Sequence, residues 1–153
     1  MIKFFRWKGK VKIIREGTMS RNKGKYDVLI VEDNLEQAQL TKLLMEEYGL
    51  SSEYITDSSL ALEKISRDKP PVVIVDLMMP KIDGLRLLKM VKSTQETANT
   101  KIIIYSGKMY ESDRRKAMEL GADAFFFKPT RAQLIVETVK AFLEPTEHEA
   151  CKN

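Results

Sequence analysis

The sequence predicts an α/β fold in which helices cover both faces of a parallel sheet. From residue 26 to residue 143, short apolar runs alternate five times with amphipathic stretches. Most of the runs have several consecutive apolar residues, which is typical of strands buried on both faces. Glycine or a good capping residue stands at several of the boundaries between runs and stretches. Five β–α repeats of this kind favour a doubly wound sheet.

Each strand and helix is predicted from features of its own sequence segment. The strands are short runs of mainly β-branched and aromatic residues, weakest in the second, at residues 26–31, 52–56, 72–76, 101–105 and 124–127. The helices have apolar residues at helical spacing, at residues 35–48, 60–67, 84–93, 112–120 and 130–143. Asn34 is a favourable N-cap for the first helix, which Gly49 ends. Asp57 or Ser58 caps the second helix, and Gly121 ends the fourth.

Charged and polar residues follow four of the five predicted strands. Glu32 and Asp33 follow the first strand, Asp76 ends the third, Ser106 follows the fourth and Lys128 follows the fifth. In open α/β sheets, ligands bind beyond these carboxyl ends, where the strand order reverses. In a sheet ordered 2-1-3-4-5, the first and third strands are neighbours at the reversal. The three carboxylates are therefore expected to meet in one crevice.

This combination of groups predicts phosphoryl-transfer chemistry. Three neighbouring carboxylates repel one another unless a cation neutralises them, and oxygen ligands at an open site suit Mg²⁺. Lys128 and the hydroxyl of Ser106 can bind an anion beside the metal. A carboxylate can also act as a nucleophile and become an aspartyl phosphate. Asp76, central among the strand ends, is the candidate nucleophile.

The same stretches resemble a known family. Residues 26–143 resemble the receiver domain of two-component response regulators, in plan the single-domain chemotaxis type. The matching segments are VLIVEDN at 28–34, VVIVDLMMPKIDG at 72–84, IIIYSG at 102–107 and GADAFFFKP at 121–129. The resemblance implies a flavodoxin-like (βα)5 doubly wound sheet of order 2-1-3-4-5. It also implies a bacterial, cytoplasmic phosphoprotein that accepts its phosphoryl group from a histidine kinase or a phosphotransfer protein.

The resemblance assigns roles at the metal and the acceptor. Asp76 would be the phosphoacceptor and a ligand of Mg²⁺. Asp33 would hold the metal directly, and Glu32 would hold it through a water. Met78 would contribute its backbone carbonyl, so that its side chain is not the ligand.

The resemblance also assigns the groups around the phosphoryl. Lys128 would pair with the phosphoryl group, and Ser106 would donate its hydroxyl to a phosphoryl oxygen. Pro129 would follow a cis peptide bond that aims Lys128. Gly84 would allow the tight turn after Pro80 and Asp83.

A conformational switch follows from the same resemblance. Ser106 would move toward the phosphoryl group, and Phe125 would turn inward to fill the space that it leaves. Tyr105 is a further candidate for this rearrangement. The face formed by the fourth helix, the fifth strand and the fifth helix would then change shape. For Phe125, plain core packing stays open as an alternative.

Functions of other classes fit the residues less well. A Mg²⁺-dependent phosphohydrolase needs a second acid two residues after the nucleophile, where Met78 cannot donate a proton. A flavodoxin-type phosphate binder is disfavoured because Glu32 and Asp33 repel phosphate. We therefore expect no turnover of outside substrates. A receiver-like scaffold that is never phosphorylated stays open as the alternative function.

The two ends of the chain lie outside the repeats. Residues 1–25 hold nine basic residues and one acid, a net charge of +8, so the other 128 of the 153 residues carry −4. We expect a flexible basic arm over 1–25, a receiver domain over 26–143 and a polar tail over 144–153. Three interpretations of the arm stay open. Residues 1–18 contact an anionic membrane surface, the arm binds an acidic partner or nucleic acid, or it has little function, with translation starting at Met19.

The composition and length of the chain exclude several other kinds of protein and site. No apolar run approaches the roughly 20 residues of a membrane span. One cysteine, Cys151, cannot form an internal disulfide, and with a single histidine, His148, it cannot complete a zinc site. Ten residues follow Leu143, too few for an output domain. We therefore expect a stand-alone receiver that signals through a downstream protein or a homodimer, and nucleic acid is not expected as a partner.

Overall fold

A computed structural model describes residues 24–144 and, as backbone only, residues 2–7 and 10–15. The strands are β1 (Ile2–Trp7), β2 (Lys10–Arg15), β3 (Val28–Val31), β4 (Ser52–Ile55), β5 (Val72–Val75), β6 (Lys101–Ser106) and β7 (Ala124–Phe127). The helices are α1 (Leu35–Glu47), α2 (Ala61–Asp68), α3 (Gly84–Ser93), α4 (Glu111–Glu119) and α5 (Ala132–Leu143). A 3₁₀ turn, Ser58–Leu60, precedes α2. Within the described ranges, no helix is long and apolar enough to cross a membrane.

The predicted sheet is confirmed. Strands β3 to β7 form one parallel sheet in the order β4-β3-β5-β6-β7, which is the predicted order 2-1-3-4-5. Strands β3 and β5 lie side by side at its centre, with Val28 opposite Val72 and Val31 opposite Val75. Because these two strands are in register, the residues that follow them leave the sheet at the same edge.

Apolar side chains on both faces of the sheet explain why the strands read as continuous apolar runs. Leu29, Val73 and Ile104 belong to one buried cluster, which includes residues of α2, α3 and α4. Ile30 and Ile103 belong to a second cluster, which includes residues of α1 and α5. All five of these side chains are at most 2% exposed, and burying each one stabilises the fold by about 1.5–3 kcal/mol.

The predicted element boundaries are correct to within two residues. Helix α3 and strand β7 have the predicted bounds, and Asn34 caps α1 by accepting a hydrogen bond from the Gln37 N–H at 3.0 Å. Helix α5 begins at Ala132 instead of residue 130. The reason is local, since the Thr130 hydroxyl donates to the carbonyl of Phe127. That bond ties Thr130 to the end of β7.

Residues 2–15 contain a hairpin that the sequence analysis did not predict. Strands β1 and β2 pair antiparallel, with Ile2 opposite Arg15 and Trp7 opposite Lys10. They belong to a separate unit from the five-stranded sheet. The signal was present as two six-residue runs rich in isoleucine, phenylalanine and valine, separated by a Lys-Gly pair. The flexibility and the partners of residues 1–25 stay predictions.

A buried carboxylate at the amino edge of the sheet, Asp68, makes stability depend on pH. Asp68 accepts hydrogen bonds from the Tyr26 hydroxyl at 2.7 Å, Lys64 Nζ at 3.0 Å and Arg67 Nε at 3.0 Å. The Tyr26 bond is the main cause that holds the pKa of Asp68 well below its ordinary value. Burial is the main cause that raises the pKa of Tyr26.

We expect stability to fall both in acid and in alkali. The pKa of Asp68 is lowered by folding, so its contribution is complete above about pH 4 and is lost as the pH falls further. The pKa of Tyr26 is raised by folding, so its contribution is complete below about pH 10 and is lost as the pH rises. Urea unfolding of Asp68→Asn at pH 7 should show a loss of about 2 kcal/mol and a weaker acid dependence. Glu63→Gln on the same helix is the control, and equal acid dependence in all three proteins would contradict the assignment.

Candidate functional site

Three carboxylates meet at the carboxyl edge of the sheet. Glu32 and Asp33 follow β3, and Asp76 follows β5. The Asp76 N–H donates to the Val31 carbonyl at 3.1 Å. One oxygen from each of the three carboxylates lies within 4.8 Å of the others. The predicted convergence is therefore present. It follows from the register of β3 and β5, which brings two acidic strand ends side by side.

The three acids differ in their surroundings. Glu32 is buried, 6% exposed, and accepts hydrogen bonds from the Asn34 N–H at 3.2 Å and from Lys128 Nζ at 2.8 Å. Burial raises the pKa of Glu32, and the negative charge of Asp76 adds to this effect, while the two hydrogen bonds oppose it. Asp33 is exposed to solvent and Asp76 is half-buried. The cluster is thus open on the Asp33 side and closed on the Glu32 side.

Lys128 reaches this cluster from β7. Its backbone N–H donates to the Ser106 carbonyl at 2.8 Å, and the peptide bond between Lys128 and Pro129 is cis, as the resemblance implies. Its Nζ lies 3.8 Å from Asp76 Oδ2 and 5.1 Å from the centre of the Tyr105 ring. The ammonium group therefore sits between the acids and the aromatic ring.

Gln37 is a direct partner of Lys128 that was not predicted from the sequence. Gln37 Oε1 accepts a hydrogen bond from Lys128 Nζ at 2.7 Å, although the two residues are 91 positions apart. The one sequence signal was the position of Gln37 in the first turn of α1, four residues after Asp33. That place puts a side chain near the sheet edge but does not say what it contacts.

Ser106 is completely buried at the end of β6. Its Oγ accepts a hydrogen bond from the Lys108 N–H at 3.2 Å. Within residues 24–144, no hydrogen bond joins Ser106 to Asp76. The hydroxyl is therefore beside the site and pointed at the loop that leads into α4.

Gly84 is required for a reason other than the predicted one. We expected it to allow a tight turn, but it is the first residue of α3 and its φ is not positive. A Cβ built on Gly84 would lie 2.3 Å from the Asp76 carbonyl oxygen and 2.8 Å from the Leu77 Cα. The Gly84 N–H donates to the Leu77 carbonyl at 3.0 Å, so the loop does turn back at this position. Close packing of α3 against the Asp76 backbone is what requires the glycine.

The loop after Asp76 is held by Asp76 itself and by Ser58, which lies in the 3₁₀ turn before α2. Met78 has an exposed side chain, and its N–H donates to Asp76 Oδ1 at 3.3 Å. Farther along, the Ser58 hydroxyl donates to the Pro80 carbonyl at 2.7 Å and accepts from the Ile82 N–H at 3.1 Å. The sequence analysis considered Ser58 only as a cap, whereas Asp57 is the N-cap of the 3₁₀ turn. Ser58 instead holds this loop in place.

The two candidate switch residues lie on opposite faces of the sheet. Phe125 is half-buried against the cluster that includes α3 and α4, with its ring centre 5.0 Å from that of Phe127. Tyr105 packs against the other cluster, as does its cross-strand neighbour Phe126. The switch role of Phe125 and Tyr105 stays a prediction.

Comparison with known proteins places the chain in a family. Residues 28–140 match the family model of the response regulator receiver domain. The chain belongs to the response regulator receiver domain family. Residues 28–140 of this receiver contain the acids, the serine and the lysine described above.

Relatives with known sequences extend beyond the receiver. The alkaline phosphatase synthesis transcriptional regulatory protein PhoP of Bacillus subtilis (strain 168) is 30% identical over 120 residues, 78% of this chain and 49% of PhoP. The response regulator MprA of Mycobacterium leprae (strain TN) is 28% identical over 120 residues, 78% of this chain and 52% of MprA. The chain thus spans about half the length of these relatives.

Solved structures share the receiver fold. The signal receiver domain of a DNA-binding response regulator from Colwellia psychrerythraea 34H has a TM-score of 0.73 and 30% identity, over 78% of this chain and 99% of that one. The chemotaxis protein CheY4 of Vibrio cholerae has a TM-score of 0.70 and 23% identity, over 77% of this chain and 98% of that one. At 23% identity, the second likeness concerns the fold alone.

Proposed function

We propose that this receiver accepts a phosphoryl group on Asp76 with the help of Mg²⁺. The observation that carries the proposal is the joint placement of three carboxylate oxygens within 4.8 Å and an ammonium group 3.8 Å from Asp76. An anion can bind there once a cation offsets the acids. Neither a plain helix cap nor a surface ion pair requires three carboxylates in one place.

The donor set fits Mg²⁺. The side-chain ligands on offer are all oxygens, and the open Asp33 side leaves room for the waters that Mg²⁺ usually keeps. Asp33 and Asp76 would hold the ion directly, with the Met78 carbonyl as a third protein ligand and Glu32 through a water. When bound, Mg²⁺ supplies charge neutralisation for the acids and for the incoming phosphoryl oxygens.

The chain's own residues then perform the transfer. A carboxylate oxygen of Asp76 attacks the donor phosphorus, the new O–P bond forms, and the bond from phosphorus to the donor breaks with its electron pair going to the donor. Lys128 offsets the charge that the phosphoryl group brings. Ser106, at the end of the strand that pairs with β5, turns its hydroxyl from Lys108 to a phosphoryl oxygen. No group in this set serves as a general acid for outside substrates, so we propose an acceptor and not a phosphohydrolase.

The partners follow from the family. We propose that the donor is a histidine kinase or a phosphotransfer protein, in a bacterial cytoplasm, and that the face formed by α4, β7 and α5 transmits the change. The matched residues of this chain span only 49% of PhoP, a transcriptional regulatory protein, so the downstream partner, the dimerisation and the stand-alone state of this chain stay predictions. Phosphotransfer from each histidine kinase of the source organism would identify the donor.

A small-molecule donor tests the function directly. We expect the purified chain to incorporate label from ³²P-acetyl phosphate in the presence of Mg²⁺, because the acceptor and its neutralising groups are all contributed by this chain. Removing Mg²⁺ with EDTA should reduce the label to background, since the three acids then repel the donor. Label that resists neutral hydroxylamine, or equal label with and without EDTA, would contradict an aspartyl phosphate formed with metal.

A further inference from the structure

Gln37, which is not one of the three acids, contacts the site through a hydrogen bond to Lys128. It is the third residue of α1, and its backbone N–H is already used by the Asn34 cap. Its side chain is a neutral amide, unlike the three carboxylates. The amide oxygen accepts from Lys128 Nζ at 2.7 Å. Gln37 therefore adds an acceptor for the lysine without adding charge.

The ammonium group of Lys128 is held on the α1 side of the site. A lysine has three N–H donors, and Glu32 Oε2 and Gln37 Oε1 accept two of them at 2.8 and 2.7 Å. Asp76 Oδ2 is farther away, at 3.8 Å, beyond a normal hydrogen bond. The backbone of Lys128 is anchored to Ser106, so movement toward Asp76 must come from the flexible side chain.

The two bonds of Lys128 differ in strength. Both bonds have the charged ammonium as donor, but only the bond to Glu32 also has a charged acceptor, so that it gains the attraction between two opposite charges. The bond to Gln37 has a neutral acceptor at an exposed position. When a phosphoryl group on Asp76 draws the ammonium toward it, the bond to Gln37 is the easier one to release. An interaction present only in the unmodified state favours that state by its own free energy.

We propose that Gln37 is a positioning residue that holds Lys128 back from Asp76 and thereby slows phosphoryl transfer. This inference rests on the proposed function. Gln37 stabilises the starting state and is released before the transition state, so its removal lowers the barrier. The contribution of one exposed hydrogen bond corresponds to a change in rate of about 3- to 10-fold.

The test compares initial rates of labelling by ³²P-acetyl phosphate at saturating Mg²⁺. Gln37→Leu should be labelled about 3- to 10-fold faster than the wild type. Gln37→Glu should be labelled more slowly, because a charged acceptor holds the ammonium more strongly. Gln39→Leu, the same change two residues later at an exposed position of α1, should keep the wild-type rate. A rate for Gln37→Leu equal to that of Gln39→Leu would overturn the inference.

Two further measurements separate positioning from a structural effect. In a Lys128→Ala background, Gln37→Leu should change nothing, because the residue acts through the lysine. In metal-free, unmodified protein, Lys128→Ala should move the NMR signals of the Gln37 side-chain amide and leave those of Gln39 in place. Persistence of the rate effect without Lys128, or unmoved Gln37 signals, would overturn the inference. Label on the wild type with no Gln37 effect leaves the proposed function standing, whereas an unlabelled wild type overturns both.

Discussion

Asp76→Asn is expected to reduce labelling by acetyl phosphate and Mg²⁺ to the background of a sample without donor. The amide has no carboxylate oxygen with which to attack phosphorus, and it removes one of the three negative charges that attract the metal. The fold should survive, because an amide oxygen can still accept the bond from the Met78 N–H. Thermal unfolding should show a midpoint equal to the wild type or above it, since fewer like charges remain together.

The matched control for Asp76→Asn is an aspartate at the opposite edge of the sheet. Asp27 lies just before β3 and accepts a hydrogen bond from the Ser51 N–H at 3.0 Å. Asp27→Asn is expected to be labelled like the wild type. Undiminished label on Asp76→Asn would mean that another residue is the acceptor. Loss of label in both variants would point to a general effect of charge.

Gly84→Ala is expected to destabilise the domain by about 3 kcal/mol, at the upper end of the usual range for overpacking. The added Cβ would lie 2.3 Å from the Asp76 carbonyl oxygen, so α3 or the acceptor strand end must shift. The atoms in the way are backbone, which cannot rotate aside as a flexible side chain would. Urea unfolding followed by circular dichroism measures the loss. Slower labelling of Asp76 in the folded fraction should accompany it.

Gly107→Ala provides the comparison for this substitution. Gly107 also lies at the carboxyl edge, directly after Ser106, but nothing lies within 4 Å of the place its Cβ would take. Its φ is not in the left-handed region, so alanine is not strained there. Its free energy of unfolding should stay within about 0.5 kcal/mol of the wild type. Equal losses in the two variants would show that close packing against Asp76 is not what requires Gly84.

Much of the fold could be predicted because its signals are local. Continuous apolar runs indicate strands buried on both faces, and β3 and β5 are indeed covered on both. The acids could also be placed together, because parallel strands end at a common edge and Glu32 and Asp76 end neighbouring strands. The β1–β2 pairing was not predicted, because the nine basic residues of the first 25 indicated a flexible arm. Its short apolar runs and central glycine were visible in the sequence.

Details of the site depended on tertiary contacts. The local sequence pattern identified Lys128 as a residue at a strand end. Only the folded structure shows that its ammonium group is hydrogen-bonded to Glu32 and Gln37 and lies farther from Asp76. Gly84 was correctly marked as a special position, yet the reason came from a backbone approach that no sequence pattern records. The same holds for Ser58, whose hydroxyl holds the loop after Asp76.

The sequence by itself determined the five β–α repeats, the strand ends that carry the acids and the lysine, and the family that both imply. These properties depend on periodicity and on the common edge of a parallel sheet, which neighbouring residues specify. The tertiary structure alone decided which groups share a hydrogen bond, how buried each acid is and where no side chain fits. Those properties depend on contacts between residues that are far apart in the chain. Gln37 and Lys128, for example, are hydrogen-bonded although 91 positions separate them in the sequence.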